Sequence, residues 1–151
     1  MRFLLLGIVV ILLDQVSKFV VLDFITGTDS LYVMHFLNIS PVWNYGVSFG
    51  MFNDYTTNQS IFLGLSAFVV SFMLYAYKAG LVSGYCMLMV GGAISNCIDR
   101  VIHGAVFDFI DLHAFGYHYP TFNVADSMIV VGAILLSTQN FFIRKNESGT
   151  R

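Results

Sequence analysis

The feature that most constrains this chain is a set of apolar runs, each long enough to cross a bilayer, set around one short polar stretch. The runs fall at about 3–22, 61–77, 85–101 and 124–143. A bilayer core of about 30 Å takes roughly 20 apolar residues per helix, so the length allows four crossings and little else. Charged residues make up 11% of the chain and hydrophobic ones 57%, whereas a soluble domain carries about 25% charged residues. The expected fold is an all-α membrane protein: one four-transmembrane-helix bundle over residues 1–151. The first run contains Asp14, Gln15, Ser17 and Lys18. A cleaved signal peptide has a shorter, uncharged apolar core and a small-residue cleavage site, so this run is expected to stay as a helix.

The stretches between spans differ in character. Residues 23–58 hold Asp23, Asp29 and Asp54 but no Lys or Arg. Within them LYVMHFLNIS and PVWNYGVSFGMF alternate loosely, bounded by the turn-like TGTDS and NDYTTN. They predict a small antiparallel sheet, an extracytoplasmic β-cradle, lying on the membrane with Trp43, Tyr45 and several Phe at headgroup level. Asn44 is either an ordinary hairpin residue or offers its amide to an extended peptide, with Gly46 and Gly50 allowing close backbone approach. Residues 102–122 form a second excursion, again without Lys or Arg. Arg2, Lys78, Arg144, Lys145 and Arg151 lie at the ends and in the middle link. The positive-inside rule then places both termini in the cytoplasm and both excursions outside.

The polar stretch runs from Gly91 to Ser127 and carries Asn96, Asp99, Arg100, Asp108, Asp111, Asn123 and Asp126. Ionisable groups near membrane depth are costly and mark functional sites. Asn96, Asp99 and Arg100 stand at i, i+3 and i+4, one face near the end of the third helix. Asn123 and Asp126 fit an N-cap and a first-turn carboxylate, which explains both without catalysis. In isolation Asp108 is a surface aspartate. Asp14 and Lys18, at i and i+4, either neutralise each other or turn a polar face into the bundle. Gly91 and Gly92 suit close helix packing. Taken together, two carboxylates at the outer end of the bundle suit shared-proton acid/base chemistry, one activating water and the other protonating a carbonyl. Spacing alone does not choose between Asp108 and Asp99 as the partner of Asp126. The neighbouring Arg100 favours a permanently ionised Asp99, and so favours Asp108.

Competing chemistries lack their residues. GxSxG, HExxH and P-loop motifs are missing from the sequence. The four histidines have no metal-ligand spacing, and Cys86 and Cys97 stand eleven apart as free thiols. No metal or cofactor is expected. No basic run suggests nucleic acid. A transporter using the same carboxylates as a proton relay would show internal repeats or helices broken at mid-membrane. A lipid or peptide receptor would not need two carboxylates at one site.

Five blocks resemble those of the lipoprotein signal peptidases (signal peptidase II): LDQVSK at 13–18, WNYGVSFG at 43–50, GGAISNCIDR at 91–100, HGAVFDFID at 103–111 and FNVADS at 122–127. Ser95 stands where a small residue, usually Gly, precedes the asparagine, a departure expected to affect packing rather than chemistry. The resemblance implies a multi-pass aspartyl peptidase of the bacterial inner membrane, active near its outer face among membrane lipids; a monomer is expected. Its substrates would be prolipoproteins whose lipobox cysteine carries a diacylglyceryl group, cut just before that cysteine. Inhibition by cyclic depsipeptides of the globomycin type would follow. By motif, the resemblance implies Asp108 and Asp126 as the catalytic pair. Asp14, Lys18, Asn44, Asn96, Asp99, Arg100 and Asn123 would then be the supporting shell.

Overall fold

The computed structural model describes residues 2–25, 29–46 and 55–148. In chain order the elements are α1 (Arg2–Phe24), β1 (Leu31–Met34), β2 (Leu37–Asn44), α2 (Tyr55–Lys78), α3 (Cys86–His103), β3 (Val106–Ala114), β4 (Tyr117–His118) and α4 (Val124–Ser148). Helix α3 lies at the centre and packs on α1, α2 and α4.

The helices are built inside out relative to a water-soluble bundle. On α1 the buried positions are Gly7, Val10, Asp14 and Lys18, spaced three and four apart on one face. Leu4, Leu5, Ile8, Val9, Leu12, Leu13, Val16 and Phe19 are exposed. Water would expel that arrangement, whereas a bilayer accepts apolar side chains outside and hides polar ones within. Phe3–Phe24 and Gln59–Lys78 are long and apolar enough to cross a membrane, and α4 holds a shorter apolar stretch over Val124–Gln139. Helix α3, at 18 residues, gives up apolar character to Ser95, Asn96, Asp99 and Arg100.

Adjacent glycines let α3 sit tightly between two neighbours. A Cβ on Gly91 would lie 2.6 Å from the carbonyl oxygen of Gly7 in α1. A Cβ on Gly92 would lie 2.5 Å from the carbonyl oxygen of Ala125 in α4. The pair is a packing device, and it brings the first turn of α4 against α3. Gly104, at φ +69°, ends α3 with its N–H on the Arg100 carbonyl and turns the chain into β3.

The sheet is antiparallel in the order β1-β2-β3-β4. It therefore draws strands from both excursions, not from 23–58 alone. The expected division of 31–52 into two runs at Pro41 also shifts. The β1–β2 turn falls at His35 and Phe36, and β2 continues through Pro41, where the register slips between Ile39 and Val42. Pro41 has no N–H for the ladder, and a bulge is where an interior strand tolerates that. Residues 47–52 lie outside the described residues. Strand β3 turns into β4 at Phe115 and Gly116, both at positive φ, as a two-residue hairpin loop requires. After β4 the chain returns along β3: Phe122 pairs with Ile110, exchanging N–H and carbonyl bonds of 2.8 and 3.1 Å. That return sets the start of α4 beside the start of β3.

Candidate active site

Three elements converge where α3 ends, β3 begins and α4 begins. Asp108 enters from β3 and is 1% exposed. Asn44, from the neighbouring strand, donates from Nδ2 to Asp108 Oδ2 at 2.9 Å. The Asn44 amide is held that way round because its Oδ1 accepts the N–H of Gly46 at 2.8 Å. One amide hydrogen is thus engaged by Asp108, while Asn44 itself stays exposed, so its second N–H is not taken by that bond. Gly46 faces Phe62 of α2, at φ +89° with no room for a Cβ, and Gly50 lies outside the described residues. From the other side Asn123 Nδ2 donates to Asp108 Oδ1 at 2.6 Å. Burial pushes the Asp108 carboxyl up to about 6, opposed by the Asn44 bond and aided by the nearby charge of Asp126.

Asn123 and Asp126 do form the helix cap. Asp126 N–H donates to Asn123 Oδ1 at 2.8 Å, and the return bond, Asn123 N–H to Asp126 Oδ2, is 3.4 Å. The cap and the site share the same atoms, since Asn123 Nδ2 is left to serve Asp108. Asn96 on α3 completes the connection. Its Nδ2 donates to Asp126 Oδ1 at 2.8 Å, while its Oδ1 accepts from Asn123 Nδ2 at 3.1 Å and from Lys18 Nζ at 3.2 Å. Asp108 and Asp126 are thereby joined through two asparagine side chains.

Beneath this layer Lys18 lies 2.6 Å from Asp14 Oδ2 and 2.7 Å from Asp99 Oδ2, all three residues being 3% exposed or less. Asp14 and Lys18 are therefore both an intrahelical pair and an inward polar face. The sequence points to the charge of adjacent Arg100 as what keeps Asp99 ionised; the cation in direct contact with Asp99 is Lys18. Asp99 also accepts from Gln15 Nε2 at 2.8 Å and from the Phe107 N–H at 3.1 Å. Arg100 turns aside, donating from Nη1 to the Asn96 carbonyl at 3.3 Å with its guanidinium 5.3 Å from the Phe62 ring centroid. Its Nε is buried without a partner among the described residues.

Two residues of this network carried no polar role in the sequence: Gln15 had none assigned, and Ser95 was expected only to affect packing. Gln15 links Asp99 and Ser95, and Ser95 Oγ donates to Asp14 Oδ2 at 2.7 Å. The serine does more than pack. Its signal was present, as a hydroxyl one turn before Asp99 on the same face. Asp111 stands apart on the sheet, accepting from Asn38 and Ser40 and paired with His118 at 2.8 Å. Burial acts to raise that carboxyl, but the bonds from His118, Asn38 and Ser40 and the His118 charge together hold it below the usual value. Beside Asp126 runs an apolar groove of about 440 Å³ lined by Leu112, Tyr119, Phe122, Ser127, Val130 and Val131. Among the described residues no cluster of His, Cys, Asp and Glu has metal-binding form.

Known proteins share this architecture and sequence. The chain is similar to a lipoprotein signal peptidase of Anaplasma phagocytophilum, 38% identical over 130 residues, covering 84% of this chain and 83% of the relative. One from Thermodesulfovibrio yellowstonii is 36% identical over 87% of this chain and 88% of its own length. Two solved structures of a bacterial membrane enzyme, obtained by the in meso method at 2.3 and 1.9 Å resolution, superpose with a TM-score of 0.80 each. They are 30% and 31% identical in sequence and cover 96% and 91% of this chain and 90% and 91% of their own chains. Residues 6–142 match the family described as signal peptidase (SPase) II, and with these relatives the chain belongs to that family of aspartic peptidases.

Proposed function

We propose that this protein is a membrane aspartic endopeptidase that removes signal peptides from prolipoproteins, with Asp108 and Asp126 as its catalytic pair. The observation that carries the assignment is the shared amide network. Asn96 and Asn123 link both carboxylates, and burial holds Asp108 near the pH at which a proton can be both kept and given up. One carboxylate takes a proton from water as its oxygen attacks the scissile carbonyl. The other, protonated, donates to the carbonyl oxygen to form a tetrahedral diol. A proton then passes to the peptide nitrogen, and the C–N bond breaks without a covalent enzyme intermediate. Asn44, Asn96 and Asn123 hold the two carboxylates by donating to them. Asp14, Lys18 and Asp99 support from beneath, and Arg100 fixes the outer end of α3 through the Asn96 carbonyl and the Phe62 ring.

The substrate is a prolipoprotein whose lipobox cysteine bears a diacylglyceryl group, cut just before that cysteine. The apolar groove beside Asp126 suits its apolar parts. Four helices cross the inner membrane of a bacterium, both termini are cytoplasmic, and the sheet and active site lie at the outer face. The clustering of Arg2, Lys78, Arg144, Lys145 and Arg151 supports that orientation. The inward turn of the polar residues of α3 supports the crossing itself, since it lets a helix of modest hydropathy lie in the bilayer.

Cleavage of a lipid-modified lipobox peptide by the detergent-purified protein tests the assignment. Wild type should cleave, in the presence of strong chelators as well. Asp108→Asn and Asp126→Asn should each be inactive while still binding a globomycin-type depsipeptide. Substantial turnover by folded Asp108→Asn, with folded Asp99→Asn wholly inactive, would move the assignment to Asp99.

A further inference from the structure

We propose that Asp14, Lys18 and Asp99 form a clamp that sets the spacing of the two catalytic carboxylates, each end of the clamp gripping the main chain one residue before a catalytic aspartate. The inference rests on the assignment of Asp108 and Asp126 made above. Asp14 Oδ1 accepts the N–H of Ala125 at 2.8 Å, and the next residue is Asp126. Asp99 Oδ2 accepts the N–H of Phe107 at 3.1 Å, and the next residue is Asp108. Lys18 Nζ closes the gap, 2.6 Å from one carboxylate and 2.7 Å from the other. A continuous line of polar contacts thus runs from the first turn of α4, through α1 and α3, to the first residues of β3.

The two gripped amides are ones that regular structure leaves free. The N–H of Ala125 lies in the first helical turn, where no intrahelical partner exists. In the register of β3 with β2, Phe107 stands opposite Trp43 at the strand's start. Its N–H goes down to Asp99. Both grips are buried, so water cannot replace them, and losing either leaves a main-chain donor unmet. Lys18 has a second hold on the site. By facing Asn96 Oδ1 it keeps that amide turned so that Nδ2 meets Asp126.

Spacing matters here because two carboxylates share one proton only while their charges interact strongly. The pair then titrates in two steps whose separation falls as the distance grows. The charged groups facing the pair are Asp14 and Lys18 from α1, and Asp99 and Arg100 from α3. Asp14, Lys18 and Asp99 need not touch substrate for this. They are positioning residues, and a change in them alters the rate of the chemical step more than the binding of substrate.

The test is steady-state cleavage of the lipid-modified lipobox peptide by the full-length protein, from low to high pH. The variants are Asp14→Ala and Asp99→Ala, which remove the acceptors of the two N–H groups, their double, and Lys18→Arg. Loss of either grip should lower kcat about 100-fold with KM little changed, as expected for a misplacement near 1 Å. It should also draw the two limbs of the pH–rate profile together. Because both grips act through Lys18, the double should be no slower than the slower single. Lys18→Arg keeps the charge and the fold, but its broader head group spreads the two carboxylates, so it should show the same drawn-in limbs. Met87→Ala, in the apolar core among Cys86 and Val90, serves as the stability control. It should lower Tm while leaving kcat and both limbs in place.

Several results would overturn the clamp while leaving the catalytic assignment standing. They are multiplied losses in the double, unmoved limbs in the grip variants, wild-type behaviour of Lys18→Arg, or Met87→Ala shifting the limbs as far. Full turnover by Asp108→Asn would instead overturn the assignment itself.

Discussion

Asp108→Asn should cost the enzyme its activity and, above about pH 6, make the protein more stable. Burial raises the carboxyl from 3.8 to about 6, a gap worth about 3 kcal/mol before solvent screening. Well below pH 3.8 the group is protonated in folded and unfolded chains alike and contributes no difference. Between the two values the unfolded chain releases its proton while the folded protein keeps it, so stability falls as pH rises. Above about 6 the full cost of a buried charge is present. Asparagine does not titrate and escapes this cost. Its NH2 group must, however, face one of the two donors now held by the carboxylate, Asn44 or Asn123. That is a constant penalty of about 1–2 kcal/mol. The variant should therefore be the less stable protein near pH 3 and the more stable one near pH 7.5, with the curves crossing between. Thermal or denaturant unfolding of both proteins in one detergent, across that range, measures the difference. A stability difference that stays flat with pH would refute the claim that burial holds Asp108 ready to carry a proton.

Arg100→Lys loses the planar fork that reaches the Asn96 carbonyl while lying on Phe62, so cleavage should slow by about ten-fold, or ~1.4 kcal/mol; a wild-type rate would end any specific hydrogen-bonding role. Gly92→Ala places a methyl 2.5 Å from the Ala125 carbonyl oxygen, which should cost about 1–3 kcal/mol and displace the first turn of α4. An unchanged Tm and rate would show that the close approach is dispensable. Reporter fusions after Tyr55 and after Tyr117 should both report the outer side of the membrane; a cytoplasmic signal from either would invert the proposed topology.

Much of the site was legible because its side chains repeat at helical spacing. Asp14 with Lys18, and Asn96 with Asp99, announce faces of α1 and α3, and Asn123 with Asp126 announces a cap. What spacing could not reveal is which main-chain donors these side chains serve. The partners of Asp14 and Asp99 are the N–H groups of Ala125 and Phe107, and an amide hydrogen leaves no mark in a sequence. For the same reason adjacent Arg100 stood out as the charge beside Asp99, when the cation in contact with it is a lysine 81 positions away. The sheet was half legible. LYVMHFLNIS alternates as a strand pair does, but Pro41 looked like a boundary because its role as a bulge depends on the strand beside it. VFDFIDLHA carries acidic residues among aromatics and no turn signal until Phe115-Gly116, so its strand character rests on pairing with β2, a long-range contact.

The doubled partnership of Asp14 has a consequence for how the protein is made. During synthesis α1 meets the membrane long before α3 and α4 exist, and the residue that will supply the Ala125 N–H lies 111 positions downstream. An isolated helix carrying one buried carboxylate would resist insertion at that stage. Lys18, one turn away, supplies a counter-charge from the same segment, so α1 can enter lipid as an electrically balanced unit. When α3 arrives, Asp99 and Ser95 join the lysine and the aspartate, and α4 brings its free amide last. The pair that later serves the finished enzyme thus first acts as a travelling companion for the nascent helix. Changes that unbalance it should show up as poor membrane integration during translation, before any effect on catalysis can be measured.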